Sequence, residues 1–145
     1  MKTQYDIRRR DFLAAAGAAI GTPYLVPSGV LASQGKPGAN DRITLGHIGV
    51  GGMGRGHLGR GLNFREFGMA NVAAVCDVDE KRLATALKAC TDAGAQATPY
   101  ADYRYILARE DIDAVIIATP DHWHAVGTVH ACESGKHVYV EKPSS

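Results

Sequence analysis

The chain has no run of about 20 apolar residues, the length a helix needs to cross a bilayer. Its alanine-rich stretch, Ala14 to Ile20, is interrupted beyond its end by Gly21, Pro23 and Pro27, so no stable membrane span is expected. Cysteine is scarce and odd in number, with Cys76, Cys90 and Cys132 alone. Their spacing suits neither a disulfide framework nor a metal site. Each lies in an apolar-periodic segment, which predicts three buried thiols. An excess of charge is missing as well: 16 Lys and Arg meet 15 Asp and Glu, for a formal net charge of +1. Without a basic stripe to track phosphates, nucleic acid is not expected as a partner. There is no internal repeat. What remains is ordinary globular composition, 46% apolar and 21% charged in 145 residues, with room for one domain.

Glycine, by contrast, is plentiful, and its placement matters most between Gly49 and Gly54. Ile43, Leu45, Ile48 and Val50 form an apolar run suited to a strand buried on both faces of a parallel sheet. It leads into Gly49-Val50-Gly51-Gly52-Met53-Gly54, a G-x-G-x-x-G at Gly49, Gly51 and Gly54. In a strand-turn-helix setting the first glycine permits the turn, the second admits a pyrophosphate, and the third lets helix and strand pack closely. The helix N-terminus adds free N–H groups and partial positive charge, so the loop, Gly52 and Met53 included, is assigned to phosphate binding. A second apolar run, Val72 to Cys76, ends in Asp77, 23 residues beyond Gly54. An acidic residue about 20 residues on is what a dinucleotide's ribose hydroxyls require. Asp77 could instead cap the next helix, although Asp79 is available for that.

The first 40 residues do not belong to that domain. Arg8-Arg9-Arg10-Asp11-Phe12-Leu13 precedes the alanine-rich stretch, and small residues follow at Val30-Leu31-Ala32. A charged start, a short apolar run and a small-residue site describe a secretory signal over 1–32. The arginine pair resembles a twin-arginine signal, which exports proteins already folded and implies a periplasmic or otherwise exported product. The competing reading is an amphipathic arm with incidental arginines. Removing Lys2, Arg8, Arg9 and Arg10 with Asp6 and Asp11 leaves the remainder near −1. Residues 33–40 read as a polar linker, and the folded part should occupy 41–145.

From there, strands alternate with helices. The first helix is expected from Met53 to about Leu62. Asp79 caps a second, whose Leu83, Leu87 and Cys90 share one face and which Gly94 stops. Thr98 to Tyr100 is a short strand, and Asp102 caps a helix with Ile106 and Leu107. Asp113 to Ala118 is a buried strand, Trp123 to Ser134 a helix closed by Gly135, and Val138 to Val140 a fifth strand. The pattern predicts an α/β fold, a doubly wound parallel sheet of Rossmann type with strand order 3-2-1-4-5.

Two later stretches narrow the function: Ala118-Thr119-Pro120-Asp121-His122-Trp123-His124 after the fourth strand, and Glu141-Lys142-Pro143 after the fifth. With GVGGMG and CDVD, this order resembles the Gfo/Idh/MocA family of oxidoreductases over about Arg42 to Pro143. The resemblance implies NAD as cofactor, with NADP disfavoured because Asp77 would repel a 2′-phosphate, although Lys81 and Arg82 lie nearby. It implies Thr119, Pro120, His124 and Glu141 beside the cofactor. Lys142 would be the catalytic group, next to the nicotinamide and a sugar or cyclitol hydroxyl; otherwise it is a solvated lysine. His122 and His124 could be read as a metal pair, but further ligands lack a source, so no metal is expected. His57 could approach the phosphates or be a surface residue, and Trp123 is read as packing.

The resemblance also implies a second domain that holds substrate, supplies the remaining catalytic groups and would carry any homo-oligomer contact. The sequence stops at Ser145, before a sixth strand, which predicts a truncated product, inactive alone. The alternatives are a non-catalytic NAD-binding or interaction module, or the NAD domain of a relative that cleaves glycosides with NAD used transiently. The signal yields its own prediction. Replacing Arg9 and Arg10 by lysine should strand the protein in the cytoplasm, checked by cell fractionation. A processed form outside the cytoplasm would refute the twin-arginine route.

Overall fold

The computed structural model describes Gly38 and residues 41–143; the expected signal and nearly all of the linker lie outside the described residues. Five strands form one parallel sheet: β1 (Ile43–Ile48), β2 (Ala70–Cys76), β3 (Thr98–Tyr100), β4 (Ala114–Ile117) and β5 (His137–Val140). Their spatial order is β3-β2-β1-β4-β5, as the alternation of elements predicts. Four helices connect them: α1 (Gly52–Glu66), α2 (Glu80–Asp92), α3 (Arg104–Leu107) and α4 (His124–Glu133).

Each face of the sheet buries its own cluster. Val50, Leu58, Val72, Val75, Ala86 and Cys90 join α1 and α2 to one face. Ile48, Ala74, Cys76, Ile106, Leu107, Val115, Ile117 and Ala131 join α3 and α4 to the other. Val72 and Val75 face the same way although they are three residues apart. A register shift, with Leu45 opposite Val72 and Gly46 opposite Ala74, explains this by leaving Ala73 as the extra residue. Pro99 falls in β3, an edge strand, where its missing N–H costs no ladder bond on the open side.

Three expectations need correction. Helix α1 continues past Leu62 to Glu66, because its exit lies at Gly68. There Gly68 N donates to Arg65 O and Met69 N to Phe64 O, the paired bonds of a glycine-terminated helix. Helix α4 starts at His124, after a single 3₁₀ turn over Asp121–Trp123. Cys76 and Cys90 are buried, but Cys132 is exposed. It sits one residue beyond Ala131 in the buried stripe His124, Gly127, Ala131, so the turn of the helix carries it to solvent. Burial, then the carboxylates of Asp77 and Asp102, push the Cys76 thiol up to about 12.

β1 carries one polar side chain inward. His47 is 1% exposed, and neither ring nitrogen has a hydrogen-bond partner among the described residues. Burial, and secondarily the nearby His57, lower its pKa from 6.5 to about 4. The folded protein therefore keeps His47 neutral where the unfolded chain takes up a proton. Stability from this source is complete above pH 6.5 and drains away as pH falls toward 4, by about 2 kcal/mol at pH 5. Urea titrations at pH 7.5 and pH 5 should show His47→Leu losing less stability across that interval than the wild type, by about that amount.

Candidate functional site

The glycine loop depends on a contact that admits no side chain. Gly49 turns the chain out of β1 at a φ of 82°, a left-handed conformation that favours glycine. A Cβ on Gly49 would lie 2.7 Å from Ala118 O, and one on Gly54 would lie 1.9 Å from Gly49 O. The start of α1 is thus seated directly on the ends of β1 and β4. No side chain caps this helix and no acidic residue lies in its first turn. Its first N–H groups are left for an anion, assisted by the helix dipole. Gly52 and Met53 are exposed at that end, and a Cβ on Gly52 would meet nothing within 4 Å.

Asp77 closes the loop from the side. It is buried, and its Oδ2 accepts from Val50 N at 3.0 Å while Oδ1 accepts from Asp79 N at 3.0 Å. A carboxylate offers about four lone-pair positions, so acceptor capacity remains for two ribose hydroxyls. Asp79 takes the capping role, accepting from Lys81 N and Arg82 N at the start of α2. Next to these groups is an open cavity of about 350 Å³ lined by Val50, Gly51, Gly52, Arg55, Arg82 and Thr85, among others. Arg82 lies against Gly51, where an added Cβ would come within 3.1 Å of its guanidinium.

The ends of β4 and β5 meet the loop from the other direction. Thr119 N is 2.8 Å from the position of a Gly49 Cβ. The Thr119 hydroxyl is buried with no partner among the described residues, an orphaned group of the kind a ligand can satisfy. Pro120 is exposed and starts the 3₁₀ turn. His124 is 1% exposed; its Nε2 faces Thr119 O at 2.8 Å and its Nδ1 faces Pro143 O at 2.6 Å. His122 stands exposed beside Trp123, so the two histidines do not converge. No group of three or more His, Cys, Asp or Glu side chains among the described residues is arranged to hold a metal.

Glu141, the first residue of E-K-P, turns its carboxylate inward. Oε1 lies 2.6 Å from His57 Nε2 and accepts from the Tyr139 hydroxyl at 3.3 Å, and Oε2 accepts from Lys142 N at 3.3 Å. Hydrogen bonding to His57 is the largest of the influences that hold Glu141 below the usual carboxylate range. The Lys142 side chain is exposed, and its ammonium is engaged by no hydrogen bond or ion pair among the described residues.

His57 is therefore not a surface residue of its helix. It is buried on α1 and bonded across 84 residues to Glu141. The signal was present: Gly54, His57, Leu58 and Gly61 recur at i, i+3, i+4 and i+7, the inward stripe of the helix. Two small residues in that stripe hide the pattern from an inspection of large apolar side chains.

Residues 43–145 match the Gfo/Idh/MocA oxidoreductase family, NAD-binding Rossmann fold. A glycosyl hydrolase family 109 protein of Shewanella pealeana is 36% identical over 156 residues, covering 94% of this chain and 34% of its own. The myo-inositol dehydrogenase of Lactobacillus casei, solved with NAD(H) and myo-inositol, superposes with a TM-score of 0.63 at 31% identity, covering 72% of this chain and 29% of that one. The WlbA dehydrogenase of Bordetella pertussis, solved with NADH and UDP-GlcNAcA, gives 0.61 at 28% identity over 72% and 30%. The chain spans about a third of the length of the curated relatives it matches.

Asp77 is the residue expected to meet the adenosine ribose of a bound cofactor. Calorimetry should find NAD bound more tightly than NADP, because a 2′-phosphate would meet the Asp77 carboxylate. Asp77→Ala should weaken NAD by about 1.5–3 kcal/mol, the worth of a hydrogen bond to a charged group. Equal or tighter NADP binding by the wild type would overturn the assignment.

Proposed function

The chain belongs to the Gfo/Idh/MocA oxidoreductase family and carries its NAD-binding Rossmann domain, and from that premise we propose that it is the nucleotide-binding part of an exported enzyme that oxidises a sugar or cyclitol hydroxyl. The residues present fit the cofactor. An uncapped helix N-terminus meets the pyrophosphate, Asp77 the ribose, and the orphaned Thr119 hydroxyl is available to the nicotinamide half. NAD, when bound, supplies the hydride acceptor.

The observation that carries the reading is the bridge made by His124. It ties the Thr119 turn, which abuts Gly49, to Pro143, so Lys142 belongs to the same end of the sheet as the glycine loop. Open α/β sheets bind their ligands there. An unengaged ammonium at that end favours an oxygen that gains negative character as its carbon loses hydride. The Lys142 ammonium donates a hydrogen bond to the substrate oxygen, and the hydroxyl proton passes to a base in a substrate domain of the kind the longer family members carry, which also grips the substrate. Export follows from the arginine pair in residues 1–32.

A second reading is favoured by the 36% identical relative named as a glycosyl hydrolase. In it the same groups use NAD transiently and a glycoside is cleaved with no net reduction of the cofactor. NADH absorbance over a panel of sugars and cyclitols, run beside release of an aryl glycoside's chromophore, separates the two. In a protein that carries a substrate domain beside this one, the first reading expects accumulating NADH. Lys142→Met should lower kcat by roughly 100-fold or more with NAD affinity little changed. Residues 33–145 alone should bind NAD weakly and turn over nothing, and turnover by that short form would sink the assignment of substrate binding to a second domain.

A further inference from the structure

Two buried imidazoles reach the E-K-P segment from opposite faces of the sheet. His57 comes from α1 on one face, and His124 from α4 on the other. They contact the residues on either side of Lys142: Glu141 Oε1 at 2.6 Å from His57 Nε2, and Pro143 O at 2.6 Å from His124 Nδ1. We propose that His57 and His124 are positioning residues that hold the Lys142 backbone in place as a pair. The proposal rests on the reading of Lys142 as the group beside the reacting carbon.

The partners fix what each ring must do. Arg60 Nη1 lies 3.2 Å from His57 Nδ1, and a guanidinium can only donate. Nδ1 is therefore the acceptor and Nε2 carries the proton that goes to Glu141. His57 is a neutral relay from Arg60 to Glu141. His124 differs, since both of its nitrogens face carbonyl oxygens, which only accept. Both contacts are hydrogen bonds only while both ring nitrogens carry protons. One imidazole thus grips a side chain and the other a backbone carbonyl, and both rings are buried.

The anchoring elements give the arrangement its purpose. His57 stands one turn beyond Gly54, on the helix whose N-terminus receives the pyrophosphate. His124 is bonded to Thr119, beside Gly49. Lys142 is therefore referenced at both sides to elements that touch the cofactor, rather than to the edge strand β5 alone. Misplacement of a reacting group by about 1 Å can cost about 100-fold in rate, so such referencing matters to a lysine that is itself exposed.

The test uses the full chain, labelled with ¹⁵N at histidine, and does not require turnover. Imidazole spectra should show His57 with a bare Nδ1 and a protonated Nε2, and His124 with a proton on Nδ1, the nitrogen that faces Pro143 O. A bare Nδ1 on His124, or a proton on Nδ1 alone in His57, overturns the scheme. Hydrogen exchange without cofactor then measures the hold directly. His57→Ala and His124→Ala should each speed exchange of the Glu141 and Lys142 amides by about tenfold while the β1 amides stay protected. His57→Gln, whose amide can still donate to Glu141, should restore most of the protection. Unchanged exchange at Lys142 in both alanine variants refutes positioning, as does a uniform rise across the sheet that the glutamine variant fails to reverse. A third arm, acetylation of Lys142 by a succinimidyl ester with and without NAD, addresses the functional reading separately. If NAD leaves Lys142 reactivity unchanged in the wild type while exchange responds as expected, the nicotinamide assignment fails and the positioning stands.

Discussion

The close approach of Gly54 to the carbonyl of Gly49 is the contact on which the rest of the site depends. With 1.9 Å between that oxygen and the place a Cβ would occupy, only glycine lets α1 start so near the end of β1. The approach aims the helix's free N–H groups over the end of the sheet. It also sets the height of every later residue on α1 relative to the strands. His57 reaches Glu141 and Leu58 enters the core because the first turn is seated this low. A helix lifted by the width of a methyl group would leave both short of their partners.

Around that contact the strand ends are joined by single hydrogen bonds rather than by side-chain bulk. Gly49 N donates to Cys76 O, Ala118 N to Ile48 O, and Glu141 N to Ile117 O. Each bond carries the ladder one step beyond the strands proper and brings the loops after β1, β4 and β5 to one level. Asp77 then fixes Val50 from β2, and His124 fixes Pro143 from α4. Polar groups hold the loops where a ligand must approach, while the apolar clusters hold the sheet beneath. This division is physically sensible: a hydrogen bond specifies direction, whereas apolar burial specifies only proximity.

The same economy of bulk leaves one flank open. On the α1 side of β4 and β5, Ile43, Phe64, Met69, Ile116 and Tyr139 line a broad, mainly apolar groove of about 550 Å³. Among the described residues β5 pairs with β4 alone. His47 lies near the same flank, beneath Gly61, with neither nitrogen partnered among the described residues. Apolar burial is strong between α1 and β2 and thin toward β5, so the E-K-P segment leans on its hydrogen bonds more than its neighbours do.

The fold and the glycine loop could be read from residue order without coordinates. Parallel buried strands read as unbroken apolar runs, and a glycine fingerprint at the end of the first one leaves few topologies. Strand order, the capping role of Asp79 and the convergence of GVGGMG, Asp77 and Thr119 were all legible, because each rests on local pattern or on a connection rule. Tertiary structure alone decided what the histidines do. His57 and Glu141 are 84 residues apart and His124 and Pro143 are 19 apart, and no period or propensity links such pairs. Whether an imidazole is solvated, unpartnered like His47 or held between two carbonyls like His124 depends on which backbone oxygens the packed elements bring within 3 Å. That is a property of the assembled sheet ends, where a shift of one residue in register or one turn in a helix exchanges a partner for solvent.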